Sequence, residues 1–460
     1  MSKAIFGIEA LDKMISDALR FPSLVVVAGH PGAGKTTLAS SICYANALKN
    51  LKCLYLSFQE DKEKLFKNMK NLGIDLEYTE KRGTLIFIKF PVVLSIDSLM
   101  NELSKLITSF NPRIVIVDSI NVLLASVDKD EVKRAWLQNY FYELSKQVSG
   151  VVVLVSELPF GEERLQLGAI EFIADAILIL KHRIEDGKLV RIMEIRKIRG
   201  APVTLAEIPF VITPRSGLKA HLPLILEEIP EEGEPITNPC KILDTAIGRL
   251  QKGHTMHILY PVGARPPEAF IVPISYALIN RAKILLISFR ASPKTLRTTI
   301  IKSFETTGFK EEYIEKFLDE YAIFKSFNPF ALSSSELISQ LIEVIDNTNP
   351  DVVVLHAFDI FAIAYRPRHF PVIYNVINYL KSKNILTIIL SIKANENIIL
   401  SLIRLSDAII VFKFKYRNGK LVKTVHMWKR ERNPYIVSEA ELKNCIEDLI
   451  NITLKQTQQY

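Results

Sequence analysis

The sequence feature that most constrains the fold of this chain is an internal repeat. Five segments of the first half return in the same order in the second half, at offsets that stay between 231 and 238 residues. The matched segments are IEALDKMI (8–15) and KILDTAIG (241–248), LKCLYLSFQED (51–61) and AKILLISFRAS (282–292), NPRIVIVDSINVL (111–123) and NPDVVVLHAFDIF (349–361), ADAILIL (174–180) and SDAIIVF (406–412), and GKLVRIMEIRKIRG (187–200) and GKLVKTVHMWKRER (419–432). Chance similarities would not keep their order and spacing through five segments, so we expect one structural unit that occurs twice.

Each unit alternates apolar segments of strand length with longer amphipathic segments. Examples of the apolar segments are RIVIV at 113–117 and DVVVL at 351–355. This alternation is typical of a parallel sheet that is covered by helices on both faces. The predicted fold class is therefore α/β, with two tandem domains that each contain a mainly parallel sheet with helices on both faces.

A segment rich in glutamate and proline lies between the two units. The sequence LEEIPEEGEPITNP (226–239) contains five glutamates and three prolines. Repulsion between like charges and the stiffness of proline both oppose packing, so this composition is typical of a linker. We predict a first domain at 1–226, an acidic linker at 227–239 and a second domain at 240–460.

The composition excludes some classes of protein. Hydrophobic residues make up 48% and charged residues 23% of the 460 residues, as in folded globular proteins. No apolar run approaches the roughly 20 residues of a membrane helix, and the N-terminus lacks an apolar core of signal-peptide length. We therefore expect a cytoplasmic protein with no membrane partner.

Charge and cysteine content give weaker indications. The formal net charge of +8 permits attraction to nucleic acid, but Lys and Arg are interleaved with Glu and Asp along the chain. The four cysteines show no CxxC pair and no zinc-like spacing to histidine, which favours buried reduced thiols and no structural metal. These cysteines are Cys43, Cys53, Cys240 and Cys445.

A glycine-rich loop follows the first apolar strand and opens a helical segment. Residues 29–36, GHPGAGKT, fit the pattern GxxxxGK[ST] completely. Such glycines let backbone N–H groups turn towards phosphates, and the following helix adds its positive N-terminus. We predict that Lys35 reaches the outer phosphates and that the Thr36 hydroxyl binds Mg²⁺. The predicted nucleotide-binding residues are Gly29, His30, Pro31, Gly32, Ala33, Gly34, Lys35, Thr36 and Thr37.

Two carboxylates at strand ends are candidates for the chemistry. The apolar strand RIVIVDS ends in Asp118, and an acid at that position would hold Mg²⁺ through water, as in other proteins with this loop. The strand LKCLYLSFQED ends in Gln59-Glu60-Asp61, and Glu60 is the candidate base that activates water. From spacing alone, a solvated carboxylate at a strand end is at least as good an interpretation of Glu60.

Two cations lie two residues apart on the strand-like segment RIMEIRKIRG. Strand alternation places the side chains of Lys197 and Arg199 on one face. They are candidates for contacts to the γ-phosphate of a neighbouring subunit, as arginine fingers make. The alternative is an exposed basic strand edge, which is common.

These residues taken together resemble the KaiC-like branch of the RecA-type ATPases. The segments that carry the resemblance are GIEALDKMI, GHPGAGKTT, YLSFQED, VIVDS, LVSELP, EFIADAILIL, IRKIRG and PFVITPRSGL, which span nearly all of 1–225. The resemblance implies RecA-like domains, ATP and Mg²⁺ at the subunit interfaces of a hexameric ring, Glu60 as catalytic base, and Lys197 and Arg199 as phosphate sensors that act in trans. The second unit resembles the same domain more faintly.

The chain departs from the family at two places. The family usually has two adjacent glutamates where this chain has Gln59-Glu60, which implies slow hydrolysis or hydrolysis that depends on Glu60 alone. The clock members of the family have Ser and Thr phosphoacceptors where this chain has Ile403 and Arg404. We therefore expect no autophosphorylation cycle of that kind.

The second unit keeps the apolar strands but loses the residues expected to bind ATP. Proline removes N–H donors, and a glutamate would stand where Mg²⁺ and phosphate meet. The sequence alignment gives the replacements Gly29 by Pro261, Gly34 by Pro266, Lys35 by Pro267, Thr36 by Glu268, Asp118 by His356, Ser119 by Ala357, Glu60 by Ala291 and Arg199 by Glu431, with Lys197 retained as Lys429. We predict a pseudo-ATPase domain with a structural or regulatory role. A modified site for another anion near Arg265 and Arg290 is the second interpretation.

Three functions compete at this stage. The leading one is an ATPase or ATP-dependent switch with one active and one inactive domain. The second is a RadA-like accessory protein of DNA recombination or repair, although ELPFGEERLQLGAIEF (157–172), near the expected DNA-contacting loop, holds four glutamates. The third is a signalling or assembly scaffold that binds ATP with little turnover, which Gln59 and the second unit favour.

Overall fold

The computed structural model describes the chain in two compact units. The units span Met1–Leu222 and Pro223–Tyr460. The description leaves out residues 1–2, 91–95, 127–130, 160–169, 204, 221–228, 231–232, 264, 366–368, 394–395, 418–419, 431 and 458–460. The DNA-loop hypothesis rests largely on residues 160–169 and therefore lies outside the described residues.

The first unit is a single mixed sheet flanked by helices. In its described part, the strands are β1 (Ser23–Gly29), β2 (Cys53–Ser57), β3 (Leu85–Lys89), β4 (Ile114–Asp118), β5 (Val151–Glu157), β6 (Ala176–Glu185), β7 (Lys188–Ile198), β8 (Glu207–Thr213) and β9 (Gly217–Ala220). The helices are α1 (Glu9–Met14), α2 (Lys35–Leu48), α3 (Lys62–Asn71), α4 (Leu76–Lys81), α5 (Ile96–Phe110), α6 (Ile120–Ser126), α7 (Glu131–Gln147) and α8 (Ile170–Ile173), with a 3₁₀ turn at Ser16–Leu19.

The second unit repeats this plan. Its described strands are β10 (Pro235–Ile236), β11 (Leu250–Gln251), β12 (Thr255–Tyr260), β13 (Ile284–Ser288), β14 (Ala322–Ser326), β15 (Val352–His356), β16 (Leu386–Ile392), β17 (Ala408–Arg417), β18 (Lys420–Lys429) and β19 (Tyr435–Val437). Its helices are α9 (Lys241–Ile247), α10 (Glu268–Ile279), α11 (Pro293–Glu305), α12 (Glu311–Tyr321), α13 (Ser334–Thr348), α14 (Phe358–Ala364), α15 (His369–Ser382), α16 (Glu396–Arg404) and α17 (Glu439–Thr457).

The strand order is the same in both units. The order is β3-β2-β4-β5-β1-β6-β7-β8-β9 in the first sheet and β14-β13-β15-β16-β12-β17-β18-β19 in the second. From β3 to β6, and from β14 to β17, neighbouring strands are parallel. The remaining pairs are antiparallel. The predicted α/β class, with two mainly parallel sheets flanked by helices, is confirmed, and the architecture is that of two tandem RecA-like domains.

Each sheet is buried on both faces, as expected for parallel strands that read as continuous apolar runs. In β1, Val25 and Val27 pack into one apolar cluster, and Leu24 and Val26 pack into another. In the second unit, β13 divides its side chains between two clusters in the same way. Apolar alternation therefore fixes the strands, and the strand ends are left free for polar residues.

The end of the predicted linker belongs to the fold of the second unit. Ile236 lies in β10, which pairs with β11, and the Asn238 side chain donates hydrogen bonds to Asp244 at 2.7 Å and to the Gly248 carbonyl at 2.9 Å. The prolines and glutamates that predict an open linker do not prevent two residues from adding to a strand.

The cysteines contradict the expectation of reduced thiols. Cys43 in α2 is bonded to Cys53 in β2, and Cys240 before α9 is bonded to Cys445 in α17. All four side chains are buried. The predicted C-terminal helix is present as α17, and its disulfide joins residues 205 positions apart in the second unit. In the described part of the chain, no helix has the length and apolarity needed to span a membrane.

Candidate functional site

The phosphate-binding loop lies where its motif predicts, between the end of β1 and the start of α2. Gly34 has φ = 104°, and a Cβ there would lie 2.6 Å from Cδ1 of Ile212. A Cβ on Gly29 would collide with the carbonyl oxygen of Leu180 in the neighbouring β6. Both positions therefore require glycine for geometric reasons, and the loop backbone can approach a ligand closely. The remaining predicted binding residues, 30–33 and 35–37, lie in the same loop and the first turn of α2.

Lys35 is a buried lysine with no carboxylate in direct contact among the described residues. Its Nζ donates to the His30 carbonyl at 3.0 Å, within the loop itself. Burial lowers the pKa of Lys35, and the negative charges of Glu157 and Asp118 partly oppose that shift. A buried cation that donates to a carbonyl gains strongly from an added anion, because the anion offsets its lost hydration.

Thr36 and Asp118 are brought together across 82 positions of sequence. The Thr36 hydroxyl donates to Oδ2 of Asp118 at 2.9 Å, and the Tyr55 hydroxyl donates to the same oxygen at 2.9 Å. Burial raises the pKa of Asp118, although these two hydrogen bonds and Lys35 favour its charged form. A hydroxyl and a carboxylate at one point are the hard oxygen donors that Mg²⁺ prefers, so the residues present fit that ion.

Glu60 lies at the same edge of the sheet, just beyond β2. Its N–H donates to the Ser57 hydroxyl at 3.1 Å, and that hydroxyl donates to the Glu60 carbonyl at 2.9 Å, which fixes the backbone beside Asp118. In the β2–β4 pairing, Ser57 is the partner of Asp118. The side chain of Glu60 is half-exposed, and its charge contributes to the raised pKa of Tyr55. The interpretation of Glu60 as a solvated but site-facing carboxylate fits this position.

A third carboxylate, Glu157, was missed by the sequence analysis. It ends β5, where it pairs in register with Gly29, and it accepts a hydrogen bond from the Gln59 side chain at 2.9 Å. Its backbone N–H donates to the Asn121 side chain at 2.8 Å. The signal was available, because VVVLVSE is an apolar strand that ends in an acid, as RIVIVD is. Glu157 thus joins Asp118 and Glu60 at the carboxyl edge of the parallel strands, where α/β sheets bind ligands.

Lys197 and Arg199 lie at the opposite edge of the same sheet. They end β7, which pairs with the beginning of β6, whereas the loop adjoins the end of β1. By strand register, Lys197 is level with Val26 and Arg199 is level with Leu24, and both lie two strands away from β1, so they are roughly 14 and 19 Å from Gly29. Both side chains donate to the Phe172 carbonyl, at 2.8 and 3.1 Å, and Arg199 also pairs with Asp175 at 3.1 Å. The two cations therefore share one face, as strand alternation predicts, and are remote from the loop of their own chain.

Comparison with known proteins agrees with this geometry. The family model for the KaiC ATPase matches residues 5–223. The first unit belongs to the KaiC-like ATPases. Similar curated relatives are the circadian clock oscillator proteins KaiC of Parathermosynechococcus lividus and of Picosynechococcus sp., and the circadian clock protein KaiC3 of Synechocystis sp.. Each is 24% identical over 196 residues, which is 42% of this chain and 36%, 38% and 39% of the respective relative. The chain thus matches little more than a third of their length.

Backbone hydrogen bonds align the KaiC-like unit with the second unit residue by residue. Phe58 donates to the Asp118 carbonyl, and Phe289 donates to the His356 carbonyl in the same way. Ala291 N–H donates to the Ser288 hydroxyl at 2.8 Å, as Glu60 does to Ser57. The predicted replacements of Asp118 by His356 and of Glu60 by Ala291 therefore hold in the structure.

The same alignment identifies further replacements. Tyr260 pairs with Ile392 as Gly29 pairs with Glu157, so by register Tyr260, and not Pro261, stands in the place of Gly29, and Ile392 stands in the place of Glu157. Arg290, one residue before Ala291, stands in the place of Gln59. The second unit has therefore lost the missed carboxylate as well.

Two replacements in the sequence alignment are wrong at the end of β7. Arg199 N–H donates to the Asp175 carbonyl, and the equivalent bond to the Asp407 carbonyl comes from Arg430, not from Glu431. The cause is a bulge between β6 and β7 at Ile177/Leu178, which adds one residue to the first unit only. Arg430 is therefore the retained cation. By register, Trp428 and not Lys429 stands in the place of Lys197. Glu431 itself lies outside the described residues.

In the second unit, the helix that follows the altered loop begins with a buried ion pair. Glu268 starts α10 and is bonded to Lys423 of β18. Pro266 and Pro267 precede it, so neither offers an N–H donor. His356 is buried, and its Nδ1 lies 2.9 Å from the Ser288 hydroxyl. Burial, with the charges of Arg265 and Arg290, lowers the pKa of His356 to about 4. His356 supplies no oxygen donor in the place of Asp118, and the Glu268 carboxylate, which the sequence alignment puts in the place of Thr36, is paired with Lys423.

Proposed function

We propose that the KaiC-like unit binds ATP with Mg²⁺ and hydrolyses it to ADP and phosphate. The observation that supports this most is the contact between the Thr36 hydroxyl and Asp118, beside a buried lysine in a glycine-rich loop. Each of these groups loses hydration in the fold, and Mg²⁺ with a triphosphate would compensate all of them at once.

The roles of the residues follow from their positions. Thr36 and Asp118 would hold the metal ion, which supplies positive charge that offsets the charge of the phosphates. Lys35 would leave the His30 carbonyl for the outer phosphates, since both lie within the reach of one flexible side chain. Glu60 would accept the proton of the water that attacks the γ-phosphorus, while the bond to the bridging oxygen of ADP breaks.

Glu157 is placed to assist this step indirectly. Its hydrogen bond to Gln59 ties the end of β5 to the turn that carries Glu60. Gln59 occupies the position where the family usually has a second glutamate, so the pair Gln59–Glu157 restores a carboxylate at that point by another route. We therefore assign Glu157 as a positioning residue for Glu60.

We further propose that Lys197 and Arg199 act on ATP bound to a neighbouring subunit. Their position before the end of the sheet that carries the loop, with both side chains bonded to the Phe172 carbonyl, argues against a direct role in cis. A closed ring of identical subunits, hexameric by the family resemblance, would bring this edge of one unit to the loop of the next. The second unit would then serve assembly or regulation, because it lacks the groups that bind Mg²⁺ and triphosphate.

The experiment compares the wild type with Lys35→Ala. We expect Lys35→Ala to lose ATP binding by at least about 100-fold and to lose Mg²⁺-dependent phosphate release, because it removes a charge-assisted contact to the phosphates. The matched control is Lys49→Ala, which removes an exposed lysine at the end of the same helix. Equal binding and turnover in Lys35→Ala and wild type would refute the proposal. Binding without turnover in the wild type would favour the scaffold function.

A further inference from the structure

The second unit contains a cavity at the edge that corresponds to the ATP site. The cavity has a volume of about 580 Å³ and lies beyond the ends of β12, β13, β15 and β16. That volume is within the usual range for sites that bind small molecules. Loss of the ATP-binding residues has therefore not filled the site with side chains.

The charge of this edge is reversed relative to the KaiC-like unit. There the edge carries Asp118, Glu60 and Glu157, and in the second unit their places are taken by His356, Ala291 and Ile392. In addition, Arg290 replaces Gln59 and Arg265 replaces Ala33. An edge suited to a divalent cation has become an edge with two guanidinium groups.

Neither guanidinium group of the cavity is neutralised within the described part of the chain. Among the residues that the structure describes, no carboxylate lies within ion-pair distance of Arg265 or Arg290. Asp359 interacts electrostatically with Arg290 without forming an ion pair, and it accepts a hydrogen bond from the Ile392 N–H at 3.4 Å. The other acid of this edge, Glu268, is bonded to Lys423. The cavity thus has two positive charges available to a ligand.

Aromatic and hydroxyl groups line the cavity beside the arginines. The Arg265 guanidinium lies 4.7 Å from the ring centre of Phe270, whose ring lies 5.4 Å from that of His356. On the facing wall, Ser292 and Thr295 present hydroxyls at the start of α11. The remaining wall is apolar and includes Leu296 and Ile392.

We propose that this cavity binds a small organic phosphate monoester without a metal ion. Two guanidinium groups match the charge of a phosphate monoester, about −1.5 to −2 at neutral pH, better than that of a monocarboxylate. Three phosphate oxygens can accept from the two arginines and the α11 hydroxyls together. The apolar wall would contact the organic part of the ligand. Because the metal-binding oxygens are replaced, Mg²⁺ is not needed.

The test uses phenyl phosphate as the probe and titration calorimetry of the full chain. Lys35→Ala is the background and EDTA is present, so that the loop of the KaiC-like unit does not contribute. We expect saturable binding that weakens by about tenfold or more in Arg265→Gln and in Arg290→Gln, because each removes a charge-assisted hydrogen bond. Both arginines are exposed, and the fluorescence of Trp428, with Trp136→Phe in every variant, checks that the second unit remains folded.

Arg297→Gln is the matched control, because Arg297 lies on α11 outside the cavity and pairs with Asp319 at 2.7 Å. It should bind phenyl phosphate as the background does. Absence of saturable binding would overturn the proposal. So would binding in Arg265→Gln and Arg290→Gln that is as tight as in the background. Binding of succinate as tight as that of phenyl phosphate would show a general dianion site and overturn the assignment of a phosphate ligand. Binding that requires Mg²⁺ would overturn the metal-free assignment.

Discussion

Each unit has its own sheet, and the carboxyl ends of the parallel strands carry opposite charge in the two sheets. In the KaiC-like unit this edge of the sheet presents three carboxylates, a buried lysine and a hydroxyl. In the second unit it presents two arginines, a neutral histidine and an internal ion pair. The strand order and the apolar clusters are nevertheless the same. The difference teaches that the fold depends on alternating apolar residues within strands, whereas the function depends on residues just beyond the strand ends.

The largest expected effect concerns the edge remote from the loop. Arg199→Ala should lower ATP turnover by about 10³-fold, because a cation that contacts the transferred phosphate has effects of this size. ATP binding should change much less. The measurement is steady-state phosphate release, with Arg196→Ala as control, since Arg196 pairs with Glu194 on the same strand.

A mixing experiment tests whether Arg199 acts in trans. Subunits with Arg199→Ala retain an intact loop, and subunits with Lys35→Ala retain an intact arginine. Neither should hydrolyse ATP alone, whereas mixed assemblies should recover part of the activity. Lack of recovery, with mixed assemblies present, would contradict the proposed role between subunits.

The next effect separates the two carboxylates that flank Asp118. Glu60→Gln should reduce turnover by about 10²-fold or more and leave ATP affinity nearly unchanged, because only the proton acceptor is lost. Glu157→Gln should reduce turnover less, because its hydrogen bond to Gln59 can persist through the remaining carbonyl oxygen. The readout is single-turnover hydrolysis as a function of pH.

The two variants differ in the shape of that pH profile. Loss of a base removes the acidic limb of the profile, whereas loss of a positioning residue lowers the rate without changing the shape. A profile of unchanged shape in Glu60→Gln would show that Glu60 is not the base. Activity would then depend on another carboxylate at this edge.

A smaller effect concerns stability at acid pH. The pKa of His356 is about 4 in the fold and that of His257 is about 3, both because burial disfavours the charged ring. Both lie below the value of about 6.5 in an unfolded chain, so their contribution to stability is complete above pH 6.5 and is lost as the pH falls towards 4. In the KaiC-like unit, burial raises the pKa of Asp118, so protonation of this carboxyl group stabilises the fold as the pH falls.

Acidification should therefore weaken the second unit more than the first. Between pH 7 and 5.5, each histidine should remove about 1 kcal/mol from the free energy of unfolding of the second unit. The measurement is urea unfolding followed by Trp428 in Trp136→Phe and by Trp136 in Trp428→Phe. His356→Asn should reduce the loss in the second unit. An equal loss in both units would contradict this comparison.

The sequence predicts the fold well because the signals are local and repeated. Alternating apolar segments identify the central strands, and the motif at 29–36 places Lys35 and Thr36 on a strand–loop–helix junction that the structure contains. The position of Asp118 could be predicted for the same reason, since it ends an apolar strand, and its carboxylate accepts a hydrogen bond from Thr36 at 2.9 Å. Parallel strands bring such ends to one edge, so distant residues can be grouped without coordinates.

The misses have physical causes as well. The two disulfides join residues that are neighbours only in space, and cysteine spacing carries no information about such pairs. The error at Arg199 arose from a one-residue bulge, which shifts the register without changing the apolar pattern. Glu157 was missed because the family motif draws attention to the loop and to the strand of Asp118, while the strand between them in space lies later in the sequence.

The smallest expected effect is none at all. We expect that restoring the loop motif as the sequence alignment places it, through Pro261→Gly, Pro266→Gly, Pro267→Lys and Glu268→Thr together, will not produce ATP binding in a Lys35→Ala background. His356 and Ile392 would still occupy the places of Asp118 and Glu157, and Lys423 would lose its partner Glu268. The measurement is Mg²⁺-dependent binding of ATP by calorimetry, with the unaltered Lys35→Ala chain as control. If binding appeared, the loop alone would account for the difference between the units. If it appeared only after His356→Asp and Ala291→Glu were added, the difference would reside in the whole edge of the sheet, because the loop supplies backbone donors but no site for the metal.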